Sequence, residues 1–382
     1  MQDVAGHHEI PADVAQDPVP HMPCDNGAMD LWPRVDELVE RARAVSDLHA
    51  HRLHLYAAWR WRSAGRPVPA ELVELERGAR VFRLAVPAVV RRVRDAYDGP
   101  LVLLKGADVA AKYPRPELRP SIDLDFLVPD PERTQRALVA AGFNEPPGAV
   151  HGVHHHLPCL EWPGLLVKVE LHSTPSWPPW LSPPPVEELF ASATATSALG
   201  QGVLALPPPH HALVLTAHMW REVPLARLGH LIDVLLMAEA AAPGETESLA
   251  RRWGIDRLWK VTDATARRVL LAERVEGGAP RIWNRGLQSM RERTVIESKV
   301  AQLAGPFFGL PRPRALSAAA RIAGSELRPS GDETWSEKGK RTVGALRDGF
   351  RRRSARDREL TATAQSRSFA ERSVETPTSG EG

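Results

Sequence analysis

The sequence predicts an α+β fold in which a small mixed sheet is flanked by N-terminal helices and followed by a C-terminal helical domain. Three observations carry this expectation. Apolar residues recur near every 3.6 positions over residues 29–64 and 70–97, and short strand-type runs replace them over 101–172. Helical spacing then returns over 210–303. The predicted organisation is a tail over 1–28, N-terminal helices over 29–98, a mixed core over 99–190, a helical domain over 205–310 and a basic tail over 328–382.

Residues 1–28 are rich in Pro, His and Asp without apolar periodicity, which predicts disorder. Leu38, Val39, Ala42, Val45, Leu48 and Leu53 then form one helical face, broken at Gly65-Arg-Pro-Val-Pro69. A second helix follows with Leu72, Leu75, Ala79, Phe82, Val86 and Val90 inward, and Pro87 is expected to kink or divide it. Residues 101–104 read as a buried strand, 107–112 as a helix launched from Gly106, and 122–128 as a second strand. Pro131 suits the first turn of a helix over 132–141 that Gly142 ends. Residues 153–162 and 165–172 read as paired strands around a Pro163-Gly164 turn. Prolines at 175, 178, 179 and 183–185 mark a rigid connection to helices over 210–221, 225–241, 249–253, 257–274 and 282–303. From residue 328, Ser, Gly, Arg and Glu predict disorder with at most a transient helix.

Bulk properties narrow the function classes. The chain has 382 residues, 25% charged and 43% hydrophobic, with a formal charge of +2, so the molecule as a whole is not a polyanion binder. Residues 1–30 hold six acids and no Lys or Arg, whereas 311–382 hold 15 Lys/Arg against 10 Asp/Glu; both ends read as solvated tails. Two cysteines make a disulfide framework unlikely and suit a reducing cytoplasm. No signal-peptide pattern and no 18-residue apolar run is read, so no membrane partner is expected. Aromatics in the basic tail are sparse (Trp335, Phe350, Phe369), so nucleic acid is not an expected partner either.

The chemistry concentrates in Leu101-Val-Leu-Leu-Lys-Gly106 and Ile122-Asp-Leu-Asp-Phe-Leu-Val128. Strand side chains alternate, so Asp123 and Asp125 share one face while Ile122, Leu124 and Phe126 take the other. Strand interiors are depleted in Asp. Two there at alternate positions make a hard-oxygen site suited to Mg²⁺, with Mn²⁺ an alternative, and to nucleotide phosphates. Glu170, in Leu165-Leu-Val-Lys-Val-Glu-Leu-His172, alternates against Val167, Val169 and Leu171 and supplies a third carboxylate if its strand lies beside the aspartate strand. Gly106 at a strand-to-helix turn admits a phosphate, and Lys105, Arg119 and Ser121 are candidate nucleotide contacts.

Other clusters carry less. His151 and His154–His156 do not fit one ion, because consecutive strand residues face alternately. Asp233, near His218, Arg227 and His230, reads as a polar pair within or between helices. Trp177 and Trp180 read as packing residues, with a rim position at an acceptor pocket as the alternative.

Together these segments resemble the polymerase-beta-like nucleotidyltransferase superfamily, which includes DNA polymerase beta and the antibiotic nucleotidyltransferases. The nearest likeness is to a bacterial branch whose turn reads Lys-Gly, here Lys105-Gly106. That branch also carries an Arg before Asp-x-Asp and a Glu-Leu-His strand, here Arg119, Asp123-Leu-Asp125 and Glu170-Leu-His172. The resemblance implies a metal-dependent nucleotidyltransferase moving an NMP group from NTP to an acceptor, a small molecule or protein, with release of pyrophosphate. It implies metal-holding roles for Asp123, Asp125 and Glu170. Lys-Gly stands where the superfamily at large has Gly-Ser, and this motivates the alternative of a catalytically idle nucleotide-binding or antitoxin-like regulatory protein.

Overall fold

The computed structural model describes residues 30–146, 156–327, 334–347 and 349; the expected N-terminal tail, the segment 153–155 and most of the C-terminal tail lie outside them. The described residues from Leu31 onward form one unit. It opens with α1 (Trp32–Val39), α2 (Val45–Ala50), α3 (His54–Ser63) and the long α4 (Ala70–Ala96). The single helical stretch expected over 29–64 is therefore three helices. Ala44 is extended, and Arg52 takes the left-handed conformation at φ 59°, so the backbone turns at both places. Pro87 does not divide α4. It lies on the exposed side, where the carbonyl four residues back can turn to water.

Six strands follow in one sheet: β1 (Leu101–Leu103), β2 (Asp123–Leu127), β3 (Leu160–Trp162), β4 (Leu165–His172), β5 (Thr194–Ala195) and β6 (Val203–Ala205). Their order is β3-β4-β2-β1-β6-β5. β2 runs parallel to β4 and antiparallel to β1, and β1 runs parallel to β6, so the sheet is mixed as expected. The sheet extends past residue 190. β5 and β6, of two and three residues, are too short to leave a period in the sequence.

Between β1 and β3 lie α5 (Ala107–Ala110), a single 3₁₀ turn at Pro116–Leu118, and α6 (Pro131–Ala140). Asp130 caps α6 by accepting the Arg133 N–H, and Gly142 at φ 106° ends it. α7 (Val186–Ser192) precedes β5 and was not anticipated. Beyond β6 come α8 (Pro208–Glu222), α9 (Leu228–Glu239), α10 (Glu245–Arg252), α11 (Asp256–Leu270), α12 (Arg281–Gln288), α13 (Val295–Gly309), α14 (Arg312–Leu327) and α15 (Trp335–Arg347). The helix expected over 282–303 is α12 and α13, with Thr294 and Glu297 forming a capping box at the new start. Within the basic tail, the same Thr-x-x-Glu arrangement at Thr334 and Glu337 opens α15.

The two sheet faces meet different cores. Leu101, Leu103, Leu124, Phe126, Val167, Val169 and Leu171 pack with Val86, Val89, Val90 and Val93, the apolar stripe of α4. On the other face, Val102, Leu104 and Leu127 join a core built by α1–α3 together with α8–α11. The N-terminal and C-terminal helices thus share one apolar interior. It is this helix-covered face that carries the acids.

That interior holds His51, His54 and His211 in neutral form. Burial pushes their pKa values down to about 4, 3 and 4 respectively. In the unfolded chain each takes up a proton below about pH 6.5. Stability is therefore expected to fall as pH drops from 6.5 toward 4, by about 1.4 kcal/mol per histidine per pH unit at most. His172, whose pKa is raised despite burial by its bond to Asp125 and by Glu170, contributes a constant amount over that window. Urea midpoints at pH 7, 6 and 5 test this, and a midpoint unchanged down to pH 5 would refute it.

Candidate active site

Asp123 and Asp125 lie on β2 with Leu124 and Phe126 turned into the α4 core, so the period-two pattern places both carboxylates on the opposite face. β4 lies directly beside β2, in parallel register with Asp125 opposite Glu170 and Leu127 opposite His172. Glu170 therefore projects from the same face, one strand over. Ligand atoms of Asp125, Glu170 and His172 all lie within 4.8 Å of one another. The face is largely closed: Asp125 is buried and Asp123 only partly accessible.

Lys105, two residues beyond β1, completes the group. Its ammonium donates to Asp123 Oδ2 at 3.3 Å and lies 3.2 Å from Asp125 Oδ2. His172 Nε2 donates to Asp125 Oδ1 at 3.0 Å and lies 3.6 Å from Glu170 Oε2. One oxygen of Asp125 is thereby fixed by His172, while the other accepts no hydrogen bond and faces the cation.

The electrostatics follow from this arrangement. Burial opposes the charge of Lys105, but Asp125 and then Asp123 outweigh it and raise its pKa. Burial likewise opposes the Asp125 carboxylate, and Lys105 with the His172 hydrogen bond holds its pKa down. Asp123 goes the other way, raised by burial and by repulsion from Asp125. Two buried carboxylates sharing one cation form a site short of positive charge.

Gly106 follows Lys105 at φ 111°, and no atom lies within 4 Å of where a Cβ would stand. Glycine is needed there for the turn of the backbone into α5 rather than for close packing. Ser121 Oγ accepts from Arg119 Nη1 at 3.0 Å. Arg119 itself is buried, with Nε and Nη2 both on Asp233, the shortest contact being 2.8 Å. Tyr113 Oη adds a bond to Asp233 Oδ1 at 2.7 Å. The partner of Asp233 is thus a residue 114 positions earlier in the chain, not a neighbour on its own helices. Trp177 is buried in the helical core edge-on to Trp253, and Trp180 packs against Gly305 and Gly309 of α13; both are packing residues.

Sequence reasoning had not singled out Arg52 or Glu222, and it named His172 only within the Glu-Leu-His strand, without a role. Arg52 donates to the Pro120 carbonyl at 2.7 Å and reaches Lys105 and Asp123 electrostatically. The Gly229 N–H donates to the His51 carbonyl at 2.9 Å, and a Cβ at Gly229 would lie 2.8 Å from Arg52 Cβ. The start of α9 is thereby seated on the α2–α3 turn. Glu222 of α8 acts electrostatically on Lys105, and His218 on Asp125, which brings α8 to the same site. The His218–Glu222 spacing of four was the signal available in the sequence.

A family described as uncharacterised nucleotidyltransferase matches residues 39–270, from the last residue of α1 to the last of α11. The chain belongs to this family. Nucleotidyltransferase membership accounts for the mixed sheet and its acidic strand, and it supports nucleotidyl transfer as the general function. The matched span takes in the N-terminal helices and α8–α11 as well as the sheet, in line with the interior they share. No curated protein and no solved structure matches this nucleotidyltransferase. Among the described residues, no helix is long and apolar enough to cross a membrane.

The acidic group fits a divalent ion. Its donors are hard oxygens, and the Lys105 ammonium marks one point on which Asp123 Oδ2 and Asp125 Oδ2 already converge.

Proposed function

We propose that this protein transfers a nucleoside monophosphate from an NTP to an acceptor, releasing pyrophosphate, with Mg²⁺ or Mn²⁺ as cofactor. The observation that carries this reading is the convergence of Asp123 Oδ2 and Asp125 Oδ2 on one cation, with Glu170 in register beside them. Asp123, Asp125 and Glu170 hold the divalent ions. Bound there, such ions polarise the phosphoryl oxygens and favour ionisation of the attacking hydroxyl.

The chain's own groups do the rest. The Gly106 turn receives the phosphates, with Ser121 as a hydroxyl contact. Lys105 leaves the acid pair to neutralise the triphosphate. His172 keeps Asp125 oriented through Oδ1. Arg119 has all three nitrogens engaged inside the protein, so its part is to position Ser121 rather than to touch the nucleotide. The acceptor is a hydroxyl of a small molecule or a protein. A cytoplasmic setting, where NTP and Mg²⁺ are at hand, suits this reading.

The test is a screen of the four α-labelled NTPs with Mg²⁺ or Mn²⁺, offering the protein itself first as acceptor. Label transfer or pyrophosphate release by the wild type, absent in Asp125→Asn, is expected. Equal release by the variant would overturn the assignment.

One observation favours a second reading. Lys105 already sits on the acid pair, as it would in a protein that binds nucleotide without turning it over. In that case Mg²⁺-NTP binds by calorimetry, no NTP yields pyrophosphate, and Lys105→Met does not alter that outcome.

A further inference from the structure

We infer a second metal site, distinct from the carboxylate group, formed by His218 and Glu222 of α8 with His230 of α9 and suited to a transition ion such as Zn²⁺. A ligand atom from each of the three lies within 4.8 Å of the others. Zinc takes imidazole nitrogen and carboxylate oxygen at about 2.0–2.2 Å, so the three donors need to draw in only slightly to share one ion. Two imidazoles and one carboxylate, with further positions open, are the donors of a zinc site that also binds a substrate atom. Imidazole selects against Mg²⁺, which prefers oxygen.

The surroundings are those of a prepared site. His218 and Glu222 are four residues apart on one face of α8, with His218 Nε2 at 3.4 Å from Glu222 Oε1. Arg227 Nη1 donates to the other oxygen, Oε2, at 3.3 Å, as outer partners do for ligating carboxylates. The α8–α9 loop that brings His230 across is tied down by buried Arg293, which donates to the carbonyls of Pro224 and Leu225 at 2.6 and 2.7 Å. Gln302 holds the Glu222 carbonyl at 2.8 Å. His230 is buried, and burial with Arg227 and Arg52 keeps it in the neutral form that ligates.

The site lies within electrostatic reach of the β2 acids, His218 acting on Asp125 and Glu222 on Lys105. An ion there would stand on the helical side of the same space, where it could hold an oxygen of nucleotide or acceptor. Its existence does not depend on the proposed reaction.

The full chain in an Asp125→Asn background, which weakens the oxygen site, is titrated with Zn²⁺ against a chromophoric chelator. Substitution with Co²⁺ supplies a visible spectrum. We expect zinc binding in this background that His218→Ala and His230→Ala each weaken by roughly 100-fold or more, and a Co²⁺ absorption lost in both. Glu222→Gln should weaken it by about 10-fold. His218 is partly exposed, so its variant is expected to retain the wild-type melting temperature, and it carries the test if His230→Ala unfolds. Zinc affinity and Co²⁺ spectrum unchanged in His218→Ala would overturn the site, because zinc would then sit on other histidines of the chain. Zinc binding abolished by Asp125→Asn alone would overturn it too, by assigning the ion to the β2 acids.

Discussion

Asp123→Asn is expected to reduce metal-dependent pyrophosphate release by roughly 1,000-fold, about 4 kcal/mol of transition-state stabilisation, while leaving the melting temperature unchanged or higher. The two outcomes have one cause. Burial and repulsion from Asp125 raise the pKa of Asp123, so its charged form is a burden on the folded state that Lys105 only partly offsets. Removing one of two buried like charges relieves that burden, and the amide can still accept from the Lys105 ammonium. Strain of this kind persists where a site is organised for an ion not supplied by the fold itself. Glu170→Gln should also lower pyrophosphate release, with a smaller loss, because Glu170 lies one strand over from the acid pair. Measuring pyrophosphate release and thermal unfolding on the same preparations separates the effects. Retained turnover in Asp123→Asn would remove the acid pair from the chemistry. A large drop in melting temperature with lost turnover would instead make Asp123 a structural ion-pair partner of Lys105.

How far the sequence announced this site depends on the physics behind each residue. β2 was legible because one sheet face meets α4 and the other carries the acids, so apolar and acidic side chains alternate along Leu124, Asp125 and Phe126 although all three are buried. Glu170 was legible for the same reason, and the parallel register of β4 on β2 puts it opposite Asp125. Cation partners were not legible, because charge does not specify a partner at long separation. Arg119 could be read as a phosphate ligand or an internal ion, and only the docking of α9 decides that it meets Asp233. Lys105 likewise reads as a nucleotide contact until the β1–β2 pairing sets it against Asp123 and Asp125. β5 and β6 left no trace because pairing of β6 with β1 and of β5 with β6, not their own pattern, makes them strands. The first helical stretch breaks at the extended Ala44 and again at Arg52, a left-handed residue whose surroundings are set by Gly229 far along the chain.

Arg119→Ala is expected to cost about 3–5 kcal/mol of folding stability, among the largest losses available to a single substitution here. Arg119 and Asp233 are each about 5% exposed or less at the side chain, and the guanidinium meets both carboxylate oxygens. Without Arg119 the Asp233 charge is left in an apolar interior with Tyr113 as its hydrogen-bond donor. Tyr113 stays a neutral hydroxyl, its pKa raised by burial and Asp233, and so donates a hydrogen bond without offsetting the charge. The same reasoning predicts the remedy. Arg119→Met combined with Asp233→Leu removes both charges and should recover most of the lost stability, since apolar replacements of a buried pair are often neutral. Function should not recover with it. Ser121 loses the Arg119 Nη1 donor in both proteins, and that tie holds the segment entering β2. Urea unfolding of the wild type, the single variant and the double variant completes a thermodynamic cycle. A double variant as unstable as Arg119→Ala would show that shape rather than charge sets the cost, and full turnover in the stable double variant would free Ser121 from any part in seating the nucleotide.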